Sequence, residues 1–208
     1  MKDSMQASSP FKSQAQKVEE RAAKRDAVLR AAVQMFNRRG FHATSLDDVA
    51  ASLGITKRTI YHYLASKDQV LLECITVGLQ QILDAAVEVQ SHPGSGMDRL
   101  VAFLRRYAEI NMDDFGRCVI RTGEETISAA GFPKYRALKR DIDTAMRRLI
   151  EEGIADGSIA PFDPKLMAFT IAGALNWAAR WQDPEGPLNS SDIAARMIEI
   201  LVGGMAPR

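Results

Sequence analysis

Residues 44–67, TSLDDVAASLGITKRTIYHYLASK, restrict the possible folds of this chain more than any other stretch. Leu46, Val49, Ala50 and Leu53 recur at three- and four-residue spacing, which places them on one face of a short helix with Thr44 or Ser45 as its N-cap. Gly54 ends that helix, because a glycine just past the last periodic residue adopts the left-handed conformation of a helix C-terminus, and Ile55 fills the corner behind it. A second helix starts at once. Thr56 caps it, Ile60 and Leu64 form its buried seam, and Lys57, Arg58, Thr59, Tyr61 and His62 are left on its other faces. Donors gathered at the start of such a helix suit the major groove of DNA, where they reach base edges while Lys, Arg, Tyr and helix-end amides meet phosphates. The spacing predicts a DNA-binding helix-turn-helix with Thr56, Lys57, Arg58, Thr59 and His62 as groove contacts. Tyr61 and Tyr63, two positions apart, cannot both face the groove. Tyr61 is given the DNA side and Tyr63 the packing side.

Charge supports this reading through its distribution. The formal net charge is only +1, yet residues 1–66 hold 11 Lys and Arg against 6 Asp and Glu, whereas residues 67–208 hold 16 against 20. A basic end carrying the motif and a mildly acidic remainder suit a polyanion-binding head on a body that does not adhere to DNA. The two cysteines, Cys74 and Cys118, sit in apolar helical patterns and read as small buried residues, not as a disulfide framework. No apolar run is expected to span a bilayer and the N-terminus lacks a signal-like apolar region, so a cytoplasmic protein is expected.

Thr44, Ser45, Asp48, Val49, Ala50, Gly54, Ile55, Thr56, Tyr61, Tyr63 and Lys67 also form a longer pattern. In these residues the chain resembles the TetR-type, or tetracycline-repressor-like, bacterial transcription regulators, strongly over residues 20–67 and loosely beyond. Leu64 departs from the usual Phe but keeps an apolar anchor, and Arg58 stands where a small residue is common. The resemblance implies phosphate contacts from Thr44, Tyr61 and Lys67, dimerisation through the last two long helices and a palindromic operator in double-stranded DNA.

In chain order, residues 1–17 are polar, without periodicity, and are expected to be a flexible, solvated arm, the alternative being that Lys2, Lys12 and Lys17 track phosphates or enter a minor groove. Residues 18–66 form the expected head. Its first helix carries the stripe Val28, Leu29, Ala32, Met35 and Phe36 and ends at Gly40, with His42 in the connection that follows. Residues 67–208 form the expected body. Ser66 and Gln69 make a capping-box pattern that opens a long helix toward Gln90, a rod leaving the head directly. Beyond the break at residues 91–96 come helices striped by Leu100, Phe103, Leu104, Tyr107 and Ile110, then by Phe115, then by Tyr135, Leu138, Ile142, Met146, Leu149 and Ile150. Asp163 and Pro164 open a helix that is apolar nearly all round, and Ser190 or Ser191 caps the last one. The expected class is therefore all-α: an N-terminal three-helix head followed by a larger helical ligand-binding and dimerisation body.

The surplus apolar surface predicts a homodimer, in which Gly173, Ala174 and Ala178 let helix axes approach and Trp181, Met197 and Leu201 complete the interface. Residues 173–193 are similar to the C-terminal part of some TetR-type regulators that answer to acyl-coenzyme A thioesters. A largely apolar effector pocket is expected among Phe103, Tyr107, Phe115, Tyr135, Phe169 and Trp177, any of which equally fits plain core, and Asn176 and Arg180 suit either the orienting of a polar end or an interhelical hydrogen bond and a helix-end cation. Catalysis is not expected. His42, His62 and His92 share no spacing that gathers them on a metal or nucleophile, and paired acids such as Glu124 and Glu125 diverge by about 100° on a helix. No cofactor is expected. A helical scaffold protein without sequence-specific DNA binding is the rival from another class.

Overall fold

The computed structural model describes residues 13–205, which form nine α-helices and, among the described residues, no strand. They are α1 (Gln14–Arg39), α2 (Leu46–Ser52), α3 (Lys57–Tyr63), α4 (Lys67–Glu88), α5 (Gly96–Met112), α6 (Asp114–Arg121), α7 (Phe132–Ala155), α8 (Pro164–Trp181) and α9 (Ser190–Met205). The all-helical expectation holds. Residues 1–12 of the expected arm lie outside the described residues, and its remainder is already helical. Helix α1 begins at Gln14 because Ser13 Oγ accepts from Gln16 N at 3.2 Å while Gln16 Oε1 accepts from Ser13 N at 2.8 Å.

Helices α1–α3 make the head. Val28, Leu29, Ala32, Val33 and Phe36 of α1 are buried together with Leu46, Val49 and Ala50 of α2, Ile60 of α3 and Leu64 just after it. Gly54, between α2 and α3, has φ +64° with no atom within 4 Å of an added Cβ, so its backbone conformation and not lack of space favours glycine. Ser66 caps α4 as predicted, but Gln69 Oε1 reaches one residue further back than a capping box, accepting from Ala65 N at 2.7 Å.

Helix α4 runs from the head through the middle of the body and packs on α1, α5, α6 and α7. Residues 67–91 are in fact long and apolar enough by composition to cross a membrane, contrary to the expectation from sequence, and 50% of an 18-residue apolar window within them is buried inside the protomer. Where α4 crosses α6 the backbones nearly touch: a Cβ at Gly78 would lie 2.8 Å from the Phe115 carbonyl oxygen. Helices α5 and α7 meet as closely, since a Cβ at Gly96 would lie 2.3 Å from Gly153 Cα. Asp156 and Ser158 seal this end by accepting from the Gly96 and Met97 amides at 2.6 and 3.0 Å.

Helix α8 is less evenly buried than its sequence predicts. Met167, Ala168, Ile171, Leu175, Ala178 and Ala179 face the core, while Leu166, Phe169, Trp177 and Trp181 stand exposed. Helix α9 packs on α5 and is capped by Asn189, whose Oδ1 accepts from Asp192 N at 2.8 Å, in place of the expected serines. Both cysteines are buried. Burial pushes the Cys118 thiol up to about 11 and the Cys74 thiol well above its usual value, so neither is a thiolate at neutral pH.

Candidate functional site

The head presents one polar helix face. Ser45 and Asp48 cap α2 reciprocally, with Ser45 Oγ accepting from Asp48 N at 3.1 Å and Asp48 Oδ2 accepting from Ser45 N at 3.1 Å. The Ser45 hydroxyl, which donates to Asp48 Oδ2 at 2.7 Å, and then the Ser45 amide hold the Asp48 carboxyl below its ordinary value, so this cap stabilises the fold above the usual carboxylate range and weakens as pH falls through the depressed value. Thr56 Oγ1 accepts from Thr59 N at 3.3 Å and lies 2.9 Å from Thr59 Oγ1, which fixes the first turn of α3. Ile60 points into the core, leaving Lys57, Arg58, Tyr61 and His62 exposed and Thr59 half-buried. The Lys57 ammonium is engaged by Asp47 of α2 at 2.7 Å, which ties the two helices of the motif together.

Tyr61 is 46% exposed, whereas Tyr63 packs against the core. Lys67 at the start of α4 places its ammonium 4.2 Å from the centre of the Phe41 ring, within cation–π range. Thr44 is a correction: its side chain is buried and its hydroxyl donates inward to the Gly40 and Met35 carbonyls at 2.9 and 3.4 Å, so it closes the α1–α2 connection and does not face a phosphate.

In the body, a cavity of about 580 Å³ lies among α4, α5, α6, α7 and α8. Leu79, Ile82, Val119, Ile142, Met146 and Ala168 supply apolar wall, and Tyr107, Tyr135, Phe169, Asn176, Trp177 and Arg180 line it as the sequence predicts. Phe103 and Phe115 do not. Both are core residues, Phe103 in tilted contact with Tyr107 and Phe115 beneath the Arg30 guanidinium. Asn176 Oδ1 accepts from the Tyr107 hydroxyl at 2.8 Å and from Asn111 Nδ2 at 2.9 Å, which makes a neutral polar patch, and Glu124, Lys139, Asp143 and Arg180 line the same cavity. Asn111 Oδ1 behind it is buried without a partner. Sequence reading missed Asn111, Glu124 and Lys139. A lone Asn on an apolar stripe was a visible signal for the first, but the other two look like ordinary surface charge until the fold brings Lys139 Nζ to 3.2 Å from Glu124 Oε1 and 3.1 Å from the Tyr135 hydroxyl.

A second cavity, of about 600 Å³, is lined by Gln81, Asp84, Glu88, Arg106, Glu109 and Asp113 among others. Its crowd of carboxylates makes it a poor container for an apolar molecule, so the α4–α8 cavity is the better effector candidate despite similar volume.

Helix α6 joins this body to the head. Asn37 Nδ2 of α1 donates to the Asp114 carbonyl at 2.8 Å, and Gln34 Nε2 donates to Asp114 Oδ2 at 3.1 Å. At the other end of α6, Arg121 donates to the Asn37 carbonyl at 3.2 Å and to the Ala179 and Arg180 carbonyls of α8 at 3.3 Å each.

Comparison with known proteins places both parts. Residues 28–74 match the model of bacterial regulatory proteins of the tetR family, and residues 93–205 match that of the tetracyclin repressor-like C-terminal domain. The chain belongs to the TetR family. This TetR-family chain is 28% identical over 196 residues to the HTH-type transcriptional repressor KstR2 of Mycolicibacterium smegmatis, covering 88% of this chain and 91% of that one. Its fold superposes on the ketosteroid transcriptional regulator KstR2 of Mycobacterium tuberculosis with TM-score 0.80 at 22% identity, over 89% and 96% of the two chains. It superposes on AibR, solved in complex with isovaleryl coenzyme A and operator DNA, with TM-score 0.76 at 22% identity, over 88% and 98%. A helix-turn-helix transcription regulator is therefore the coarse function.

The expected dimer residues fall in three places. Gly173 and Trp181 are exposed and Ala174, Met197 and Leu201 half-buried, so all five border the outer surface of α8 and α9. Ala178 is fully buried in its own protomer and is withdrawn from the interface.

Proposed function

We propose that this TetR-family regulator is a cytoplasmic homodimeric repressor that binds a palindromic operator and is released by a small, largely apolar effector, an acyl-coenzyme A or another fatty or aromatic compound. The observation that carries this reading is the pairing of an exposed polar α3 face with a body cavity whose largely apolar wall also carries polar and charged side chains. Arg58, Thr59, Thr56 and His62 read bases, Lys57 exchanges Asp47 for the DNA, and Tyr61 and Lys67 hold phosphates. Dimerisation uses the exposed stripe of Leu166, Phe169, Gly173, Trp177 and Trp181 on α8, together with Ile200 on α9, a run of apolar side chains too long to leave in water. Asn176 and Arg180 orient the polar end of the effector. The joint complex of AibR with isovaleryl coenzyme A and operator DNA supports the general pairing of a small effector with an operator for this chain.

A salt titration of operator binding tests the head. Lys67→Met is expected to weaken binding to every sequence and to lower the salt slope by about one unit, whereas Thr59→Ala changes base preference. Parent-like curves for both variants rule the assignment out.

Release follows from geometry. Two recognition helices of a dimer must enter successive major grooves about 34–36 Å apart, so a shift of a few ångströms transmitted through α4 and α6 misplaces one of them. A coupling of ~1–3 kcal/mol gives roughly 5- to 150-fold release. Linkage requires that saturating operator weaken effector binding by the same factor, which calorimetry with and without operator measures. An effector bound equally well in both titrations is a passenger.

A further inference from the structure

The charged lining of the α4–α8 cavity is unevenly matched. Asp143 is paired with Arg147, which stands outside the lining. Arg180 lines the cavity with no carboxylate within salt-bridge distance among the described residues, and its guanidinium donates to the Ile120 carbonyl at 3.0 Å. Lys139 is held by one carboxylate, Glu124, at 3.2 Å, and the two side chains are 48% and 44% exposed. The Lys139 hydrogen bond keeps the Glu124 carboxyl below its ordinary value, so this is a charged pair at neutral pH. Glu124 opens a single 3-10 turn, Glu124–Thr126, in the connector between α6 and α7, and the turn has no side-chain cap. The Lys139 ammonium also donates to the hydroxyl of Tyr135, itself a buried residue of the cavity wall.

We propose that the effector is an amphiphile with a carboxylate end, which takes the place of Glu124 on Lys139 while its apolar chain lies along Leu79, Ile82, Ile142 and Met146. This rests on the reading of the cavity as the effector site and names the class of molecule it takes. The exchange replaces one carboxylate by another, so Lys139 stays paired throughout and the buried apolar chain is the net gain. A neutral chain of the same length must leave the Lys139–Glu124 pair intact and finds no cation. Arg180 adds a second positive charge to the same lining and opposes none. Release of Glu124 loosens the connector that starts at Thr122 and Gly123, directly after Arg121, whose side chain ties α6 to the Asn37 carbonyl of the head.

Calorimetric titration of the full chain with dodecanoate and with dodecanol tests the exchange. The parent is expected to bind dodecanoate about tenfold more tightly than dodecanol, as a charge-assisted hydrogen bond allows. Lys139→Met should remove most of that preference, Arg180→Met should leave most of it, and Glu124→Gln, which removes the competing carboxylate, should tighten dodecanoate and leave dodecanol unchanged. Equal affinities in the parent, a preference that survives Lys139→Met largely intact, indifference to Glu124→Gln, or failure of both probes to bind each overturns the proposal. Operator release, followed in parallel by anisotropy of labelled operator DNA, separates this claim from the wider one. Release by dodecanol as strong as by dodecanoate leaves effector control standing and removes the carboxylate; the predicted binding pattern without release does the reverse.

Discussion

Arg117→Met is expected to lower the stability of the fold by about 3 kcal/mol, because it strips three buried acceptors of their donor. The Arg117 guanidinium is almost fully buried and donates to the Met112 carbonyl at 2.8 Å, the Gln182 carbonyl at 2.9 Å and Gln182 Oε1. Burial lowers its pKa from the ordinary value, Arg121 adds to the effect, and Asp114, Asp113 and Asp183 oppose it. Methionine fills much of the volume but donates nothing, so the carbonyls at the α5–α6 junction and past the end of α8 are left dry and unpaired. At ~2–4 °C per kcal/mol for a chain of this length, the midpoint of thermal unfolding falls by roughly 6–12 °C. Calorimetry reads this directly. A midpoint within about 2 °C of the parent would mean that water replaces the guanidinium and that the site is not sealed.

The second large effect concerns the α4–α6 crossing. Glycine to alanine inside a helix normally gains about 0.5–1 kcal/mol, and at Gly173 on α8 no atom lies within 4 Å of the added Cβ in the protomer. At Gly78 the added carbon meets the Phe115 carbonyl oxygen at 2.8 Å, its carbonyl carbon at 2.9 Å and Gly116 N at 3.1 Å. Those are backbone atoms on a helix, so no side chain can turn away, and strain of ~1–3 kcal/mol outweighs the propensity gain. Within a single protomer the same substitution therefore has opposite signs at the two positions, whereas in the proposed dimer the partner helix against Gly173 removes the gain there. Gly78→Ala loses stability, and because it forces α6 outward it also alters the contacts of Asp114 with Gln34 and Asn37 of α1, so operator affinity falls with it. A Gly78→Ala midpoint at or above that of the parent contradicts this account of the crossing. A loss at Gly173 as well supports the partner helix proposed there, and a gain counts against it.

How far the sequence alone reveals this molecule depends on the kind of signal. Helix type and order were legible because burial writes itself as spacing: Ile60 and Leu64, or Leu100, Phe103 and Leu104, mark their inner faces without help from the fold. Caps of Ser, Thr and Asp were legible for the same local reason, at Ser45, Thr56, Ser66 and Asp163. The errors sit where a residue's role depends on something distant in the chain. Phe103 and Phe115 are aromatic like true cavity residues, yet neighbours on other helices enclose them completely. Ala178 is small like Gly173, but it lies on the inner face of α8 and Gly173 on the outer. Thr44 has a hydroxyl fit for a phosphate, and only the path of α1 reveals two carbonyls waiting for it. Lys139 and Glu124 are 15 residues apart in sequence, and no local pattern announces that they meet at a cavity.

The junction between body and head also bears on how such a chain can diverge. Arg117, Arg121 and Arg180 grip main-chain oxygens of residues 112, 120, 179, 180 and 182, and Arg121 takes that of Asn37 as well. A carbonyl is present whatever side chain the position carries. Mutational drift at Ala179, at Ile120 or at Met112 therefore leaves the linkage chemically intact so long as each helix keeps its path, while loss of a single arginine removes several contacts together. If the proposed effector control acts through this junction, its transmission is written in very few letters, and the surrounding positions remain free to be reshaped for a new ligand without renegotiating the connection to the head.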